Sequence, residues 1–300
     1  QSTFSIITPA LITGAFAERI RFTSYVLFLC LFFIFIYAPL AHATWHPDGI
    51  LAGMGVLDFA GGTVVHMSAG VTALASALYL KQGSDQGGHD PARISYVILG
   101  TGFLWFGWFG FNAGSAFGAS ELAASALATT STASGAAALA WIFFDAARGK
   151  KPTAMGVCIG VVVGLVAITP AAGFVTVPHS VIIGIVSSII SRLVVEWRTR
   201  SRVDDTLDVF PSHGVGGMAG MILTGIFATK TINPVVESDG LFFGETGLFV
   251  AHVIGLIGSV AFTLVMAFII LKITDSISKL RVSPEEEEIG LDISQHGEKL

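Results

Sequence analysis

Apolar runs of about 20 residues, each long enough to cross a bilayer as a helix, recur along most of this chain. Nothing else in it constrains the fold so strongly. Within hydrocarbon every backbone polar group must be satisfied internally, which leaves helices for spans of this length. Charge is correspondingly scarce: 12% of the 300 residues, against about 25% in a typical soluble domain. An all-α polytopic membrane protein is therefore expected. Its membrane domain covers residues 1–272, and a tail covers 273–300, where seven acids stand against three bases. Nothing points to nucleic acid. Cys30 and Cys158 both lie in apolar runs and suggest no disulfide framework.

Eight spans are predicted, at 23–44, 57–80, 94–116, 121–145, 153–170, 179–197, 212–229 and 247–271. The opening stretch QSTFSIITPALITGAFA is already apolar, lacks the basic start of a signal peptide and is short for a full span. It reads as the second half of a helix, and the chain as a piece of a longer protein. Lys and Arg set the orientation. Fifteen of the sixteen fall in alternate connections or just inside them, from Arg19 and Arg21 through Lys150, Arg192 and Arg200 to Lys299; only Lys230 falls on the other side. The base-rich side, and with it the C-terminus, is expected to be cytoplasmic.

Two stretches share a spacing. In DFAGGTVVH, Asp58 precedes His66 by eight positions; in DTLDVFPSH, Asp205 precedes His213 by the same eight. The two spans enter from opposite faces. If each helix begins near its aspartate, each histidine lies about 12 Å inside, and the two depths differ by only about 6 Å. Small residues follow both histidines, so the helices could pack closely with the imidazoles facing. Matched spacing in opposite directions suggests an inverted repeat, which in transporters places the site near the midplane. Two buried histidines bonded to helix carbonyls would be the bland reading, but an ionisable group at bilayer depth is a functional hypothesis by default. Asp58 is explained equally well as a helix cap.

In LWFGWFGFNAGSAFG, Trp108, Phe111 and Ser115 share one helix face. Trp45 ends the preceding outward-running span, and Phe4 lies in the half-helix. Ring faces hold cations, and a serine oxygen accepts a directed N–H bond. Aromatic residues at a membrane interface are also ordinary anchors.

Together these stretches resemble the ammonium transporter family (Amt/Mep, with the Rhesus proteins as distant relatives). The likeness runs through TFSIITPALITGAFAERIRF, DFAGGTVVH, GWFGFNAGSA, DVFPSHGVGG and GLDISQHGE. It implies the ammonium-transporter fold, an eleven-helix bundle with an inverted five-helix repeat, present here from within the third helix onward. It implies a homotrimer in the cell membrane with one pore per subunit, carrying ammonium or ammonia and having no enzymatic role or cofactor. By this resemblance Phe4, Trp45, Phe111 and Ser115 form the external ammonium site, with Trp108 beside it. Phe4 and Phe111 form a gate, His66 and His213 the paired pore histidines, and Asp58 a supporting aspartate. FPSH stands where the family more usually has F-G-x-H, so the helix entry at His213 is expected to differ.

Two other readings start from the same histidines. They could clamp a haem in an electron-transfer protein, or join Asp58 and Asp208 in an intramembrane metal site. The tail RVSPEEEEIGLDISQHGEKL reads from composition as solvated and mobile, with the basic RTRSR at 198–202 as an electrostatic partner. The resemblance implies instead that it packs under a neighbouring subunit and meets a PII-type signal protein.

Overall fold

A computed structural model describes residues 2–83, 91 and 93–298; Lys299, one of the bases used for orientation, lies outside them. Among the described residues the regular elements are helices, joined by irregular segments. Helix α1 (Ser2–Ile12) ends in a 3-10 turn. Helix α2 (Phe22–Phe32) passes through a π-helical turn, Phe33–Tyr37, into α3 (Ala38–Trp45), and a short α4 (Ile50–Gly53) follows. A second π-helical turn, Gly62–Met67, leads into α5 (Ser68–Leu80). Then come α6 (Ile94–Ala113), α7 (Glu121–Ala147), α8 (Ala154–Ile168) and α9 (Val177–Arg200). A third π-helical turn, Phe210–Val215, opens α10 (Gly216–Phe227), and α11 (Gly247–Ile277) follows.

Each predicted span appears as a helix, and among the described residues six helices are long and apolar enough to cross a membrane. Starts follow local chemistry. Ser120, Thr153 and Thr176 each accept a backbone N–H of the turn they open, at α7, α8 and α9. One start differs from expectation. The span at 57–80 becomes helical only at Gly62, because the Asp58 carboxylate gathers the amides of 61–64 into an irregular turn first. The 12 Å depth had counted that turn as helix.

Small side chains put α5 at the centre. Its sequence SAGVTALASALYL is almost wholly buried, against α1, α11 and the turn at 210–215. The outward faces carry Phe103, Phe106, Phe143, Ile257 and Val265, all well exposed. A multi-pass membrane protein presents such a surface to lipid, whereas a soluble monomer buries it.

The tail departs from the composition-based reading. It forms two short helices, α12 (Pro284–Ile289) and α13 (Leu291–His296), docked on the start of α2. A backbone bridge pairs Ile20 with Arg281, and Arg21 N–H donates to Leu280 O at 2.7 Å. Ser283 closes a capping box with Glu286. The glutamates do not use the RTRSR segment as partner: Glu287 pairs with Arg281 and Glu286 lies near Arg21, while Arg198 pairs with Asp208 and Arg200 with Glu196.

Candidate functional site

The Asp58 carboxylate accepts four backbone N–H groups. Oδ1 takes those of Gly61 and Gly62 at 2.8 and 2.6 Å, and Oδ2 those of Thr63 and Val64 at 2.8 and 3.4 Å. These donors open the π-helical turn that carries His66. On the other chain segment, Asp205 Oδ2 accepts Phe210 N–H at 2.7 Å and opens the π-helical turn that carries His213. The two histidines thus stand on the same local device, a carboxylate-led wide turn feeding an α-helix; such turns favour functional positions. Pro211 occupies the start of its turn, where a missing N–H costs little. Its carbonyl accepts Ser191 Oγ at 2.9 Å.

The turns meet at glycine. A Cβ on Gly70 would lie 2.1 Å from Gly214 N, so the backbones are in contact and only hydrogen fits between them. This approach brings His66 Nδ1 and His213 Nδ1 to 3.3 Å, with ring centroids 5.4 Å apart. His66 is 1% exposed, and its Nε2 has no protein partner.

Above His66 the rings form a column. Phe111 stacks on it at 5.6 Å and Trp108 at 5.2 Å. Trp108 is held by its own Nε1, which donates to Thr169 Oγ1 at 2.9 Å. Phe4 lies 4.4 Å from Phe111 and 6.0 Å from Trp45. Beyond them is a cavity of about 170 Å³ lined by Phe4, Trp45, Phe59, Ser115 and Phe117. Trp45 Nε1 donates to Asp58 O at 2.9 Å, which fixes the indole plane. Ser115 Oγ donates to Phe111 O at 2.9 Å, leaving its lone pairs free to accept.

The structure therefore brings Phe4, Trp45 and Ser115 to one cavity, Phe111 beneath it, and His66 with His213 below that. Trp108 stands beside His66 rather than at the cavity. Asp58 contacts neither ring group through its carboxylate. Phe59 and Phe117 are cavity walls that the spacing of helix faces did not single out. Phe59 sits in an irregular segment, and Phe117 adopts a left-handed backbone (φ 55°) just past the helix end.

Neither alternative use of the histidines fits. Facing nitrogens at 3.3 Å leave no room for an iron porphyrin between the rings. Asp208 is paired with Arg198, and among the described residues no cluster of three His, Cys, Asp or Glu could hold a metal. Outside the spans, burial pushes the Asp205 carboxyl up to about 6 against the lowering effect of the Phe210 and Val209 amides. Burial likewise lowers the Arg19 guanidinium, with Asp204 opposing it.

The chain is similar in sequence and in fold to known proteins. The profile of the Ammonium Transporter Family matches residues 1–300. An ammonium transporter of Aquifex aeolicus is 45% identical over 300 residues, covering 100% of this chain and 70% of its own. One of Bacillus subtilis is 43% identical, with 100% and 74% covered. The crystal structure of Saccharomyces cerevisiae Mep2 superposes with a TM-score of 0.89 at 36% identity, over 95% of this chain and 66% of that one.

Proposed function

The chain belongs to the ammonium transporter family, and on that premise we propose that it moves ammonium across a membrane by stripping the ion of a proton. The observation that carries the reading is the unbroken line from the aromatic cavity through Phe4 and Phe111 to the His66–His213 pair. The family consists of transporters, and this chain has their fold.

The chemistry follows from the residues. Ammonium is a small cation with four N–H donors. Ring faces of Phe4 and Trp45 attract its charge, and Ser115 Oγ accepts one donor. The touching rings of Phe4 and Phe111 close the path below and must swing for passage. Carrying the charge onward through an apolar pore would cost many kcal/mol; losing the proton removes that cost. His66 Nε2 takes the proton, and His66 passes its Nδ1 proton to His213 Nδ1, which releases one from Nε2. Ammonia moves on as a neutral molecule. Potassium has no proton to give and stays behind. Asp58 holds the turn on which His66 sits.

We assign the Trp45 end to the outside and the tail to the cytoplasm of the cell membrane, from the distribution of Lys and Arg. Residues 1–272 form the membrane part and 273–300 a regulatory tail, in a homotrimer whose cytoplasmic face receives a PII-type protein. The test is the current evoked in proteoliposomes on a solid-supported membrane by ammonium, methylammonium and potassium. Ammonium and methylammonium currents without a potassium current support the reading; equal currents for potassium overturn it.

A further inference from the structure

His252 is fully buried on α11, and the transport reading gives it no part. Both its ring nitrogens are engaged. Nδ1 lies 2.7 Å from Met221 O on α10, and Nε2 lies 3.0 Å from Leu57 N. A carbonyl can only accept and an amide can only donate, so Nδ1 carries the proton and Nε2 the lone pair. The ring is neutral, and a second proton on Nε2 would face the Leu57 N–H donor to donor.

Leu57 opens the irregular segment that builds the cavity. Three consecutive residues there are tied to three different elements. Leu57 N–H goes to His252, Asp58 O takes Trp45 Nε1, and Phe59 N–H donates to Pro170 O at 3.1 Å. Trp45 and Phe59 are both cavity walls. The histidine also has no freedom to relax. A Cβ on Gly225 would stand 3.0 Å from His252 Cβ, and one on Gly255, a turn further along α11, would stand 2.9 Å from Val56 Cγ2. The same ring grips α10, whose opening turn carries His213.

We propose that His252 is a positioning residue for ammonium capture: through Leu57 it sets the height of the Asp58 carbonyl, and so the orientation of Trp45 over the cation cavity, and it fixes that height relative to α10. The inference rests on the transport reading. A residue that only filled the core would serve equally well as leucine. One that positions must offer a donor and an acceptor side by side, about 2.2 Å apart, as imidazole and a primary amide both do.

The test compares His252→Gln, His252→Asn and His252→Leu in methylammonium uptake by proteoliposomes, with melting temperature measured on each. Glutamine carries its donor and acceptor far enough to meet Met221 O and Leu57 N together. Asparagine is one methylene shorter and reaches only the first. The expected result is a half-saturation concentration raised about fivefold in H252N and H252L, the equivalent of one typical hydrogen bond, with maximal flux within about twofold of the parent. H252Q should return the half-saturation to the parental value. In H252N the further change Trp45→Phe, which removes the Asp58 O bond, should add less than it does alone. If H252L does not fold, H252N against H252Q decides. Equal half-saturation in Asn and Gln variants, or a lowered melting temperature with half-saturation unmoved in all three, overturns the proposal while leaving transport intact. A parent protein that carries no methylammonium overturns the transport reading, and the proposal with it.

Discussion

The Nδ1 atoms of His66 and His213 stand 3.3 Å apart, and a hydrogen bond there requires one proton shared between two rings. The rings must therefore be opposite tautomers, and they exchange roles when one outer Nε2 gains a proton, the shared proton crosses, and the other Nε2 releases one. In the proposed relay, replacing both by leucine removes the acceptor for the substrate proton. The expected outcome is loss of proton-coupled current by at least ~100-fold, the scale on which a barrier of several kcal/mol acts. Supported-membrane current measures it, and unchanged current and selectivity would sink the relay.

Trp45 separates into two functions. In the transport proposal its face is offered to the cation, and its Nε1 ties down Asp58 O. Trp45→Leu loses both, and the half-saturation concentration should rise about fivefold or somewhat more, as ~1 kcal/mol of cation–π attraction implies. Trp45→Phe keeps a smaller face and should fall between. A constant that does not move in either variant would return Trp45 to the role of interface anchor.

The contact of Gly70 with Gly214 predicts an asymmetry among glycines. Gly70→Ala places a methyl group 2.1 Å from a backbone nitrogen, where no flexible side chain can yield. The turns must part, and the histidines with them. A stability loss of about 3 kcal/mol, at the upper end for overpacking, is expected together with loss of flux. Gly258→Ala on α11, with open space around it, should melt within a degree or two of the parent, since helix propensity alone changes by ~1 kcal/mol in its favour. Matching melting points for the two variants would contradict the close approach.

Much of this arrangement is legible in the residues, and what is not has physical causes. Long apolar spans announce the helices because hydrocarbon forbids other backbones. The repeated eight-residue step from Asp58 to His66 and from Asp205 to His213 points to facing histidines, although both are carried on π-helical turns, which α-helical spacing does not anticipate. Helix-face spacing finds Phe111, Ser115 and Trp108, but cannot say that Trp108 faces His66 instead of the cavity, since one helix face runs past both. Phe59 and Phe117 lie where the chain leaves regular structure, and periodicity is silent there. His252 did carry a signal, a lone ionisable residue in the apolar LFVAHVIG. It had no partner at a telling sequence distance, because its partners are backbone groups.

Asp205 gives a pH dependence. It is fully buried, with Oδ2 bound to Phe210 N–H and Oδ1 unpartnered. Burial raises it from 3.8 to about 6. Between those values the native state binds more protons than the unfolded state, so stability falls as pH rises through the window and stays lower above it. The difference amounts to about 3 kcal/mol. Asp205→Asn keeps an acceptor for Phe210 and carries no charge. Its melting temperature at pH 7.5 should equal or exceed that of the parent, and its stability between pH 4 and 6, by denaturant unfolding in detergent, should be flatter by about this amount. A parental slope retained in the variant would assign the dependence to another group.

The docked tail yields a further expectation. Arg281 joins three places at once. Its Nη1 donates to Leu80 O, the last residue of α5, at 2.9 Å, and its Nη2 donates to Glu287 Oε2 at 3.0 Å. Its backbone pairs with Ile20. Arg19, which is buried, donates to the adjoining Lys81 O at 2.8 Å and pairs with Asp204 at 2.8 Å. Helix α5, entered through the turn that carries His66, is therefore gripped at its far end by an arginine whose other guanidinium bonds go to Glu287 in the tail. Deleting residues 284–300 frees the Arg281 guanidinium of Glu287 but leaves the Leu80 contact and the core of α5 untouched. The pore should stay folded, with a melting temperature within a few degrees, while flux falls or ceases to respond to a PII-type partner. Glu287→Gln removes only the ionic part of the clamp, a half-buried pair on the order of 1 kcal/mol, and should give a weaker form of the same change. A truncated protein that carries ammonium at the parental rate, and is still bound and blocked by the signal protein, would reduce the tail to a passive cover.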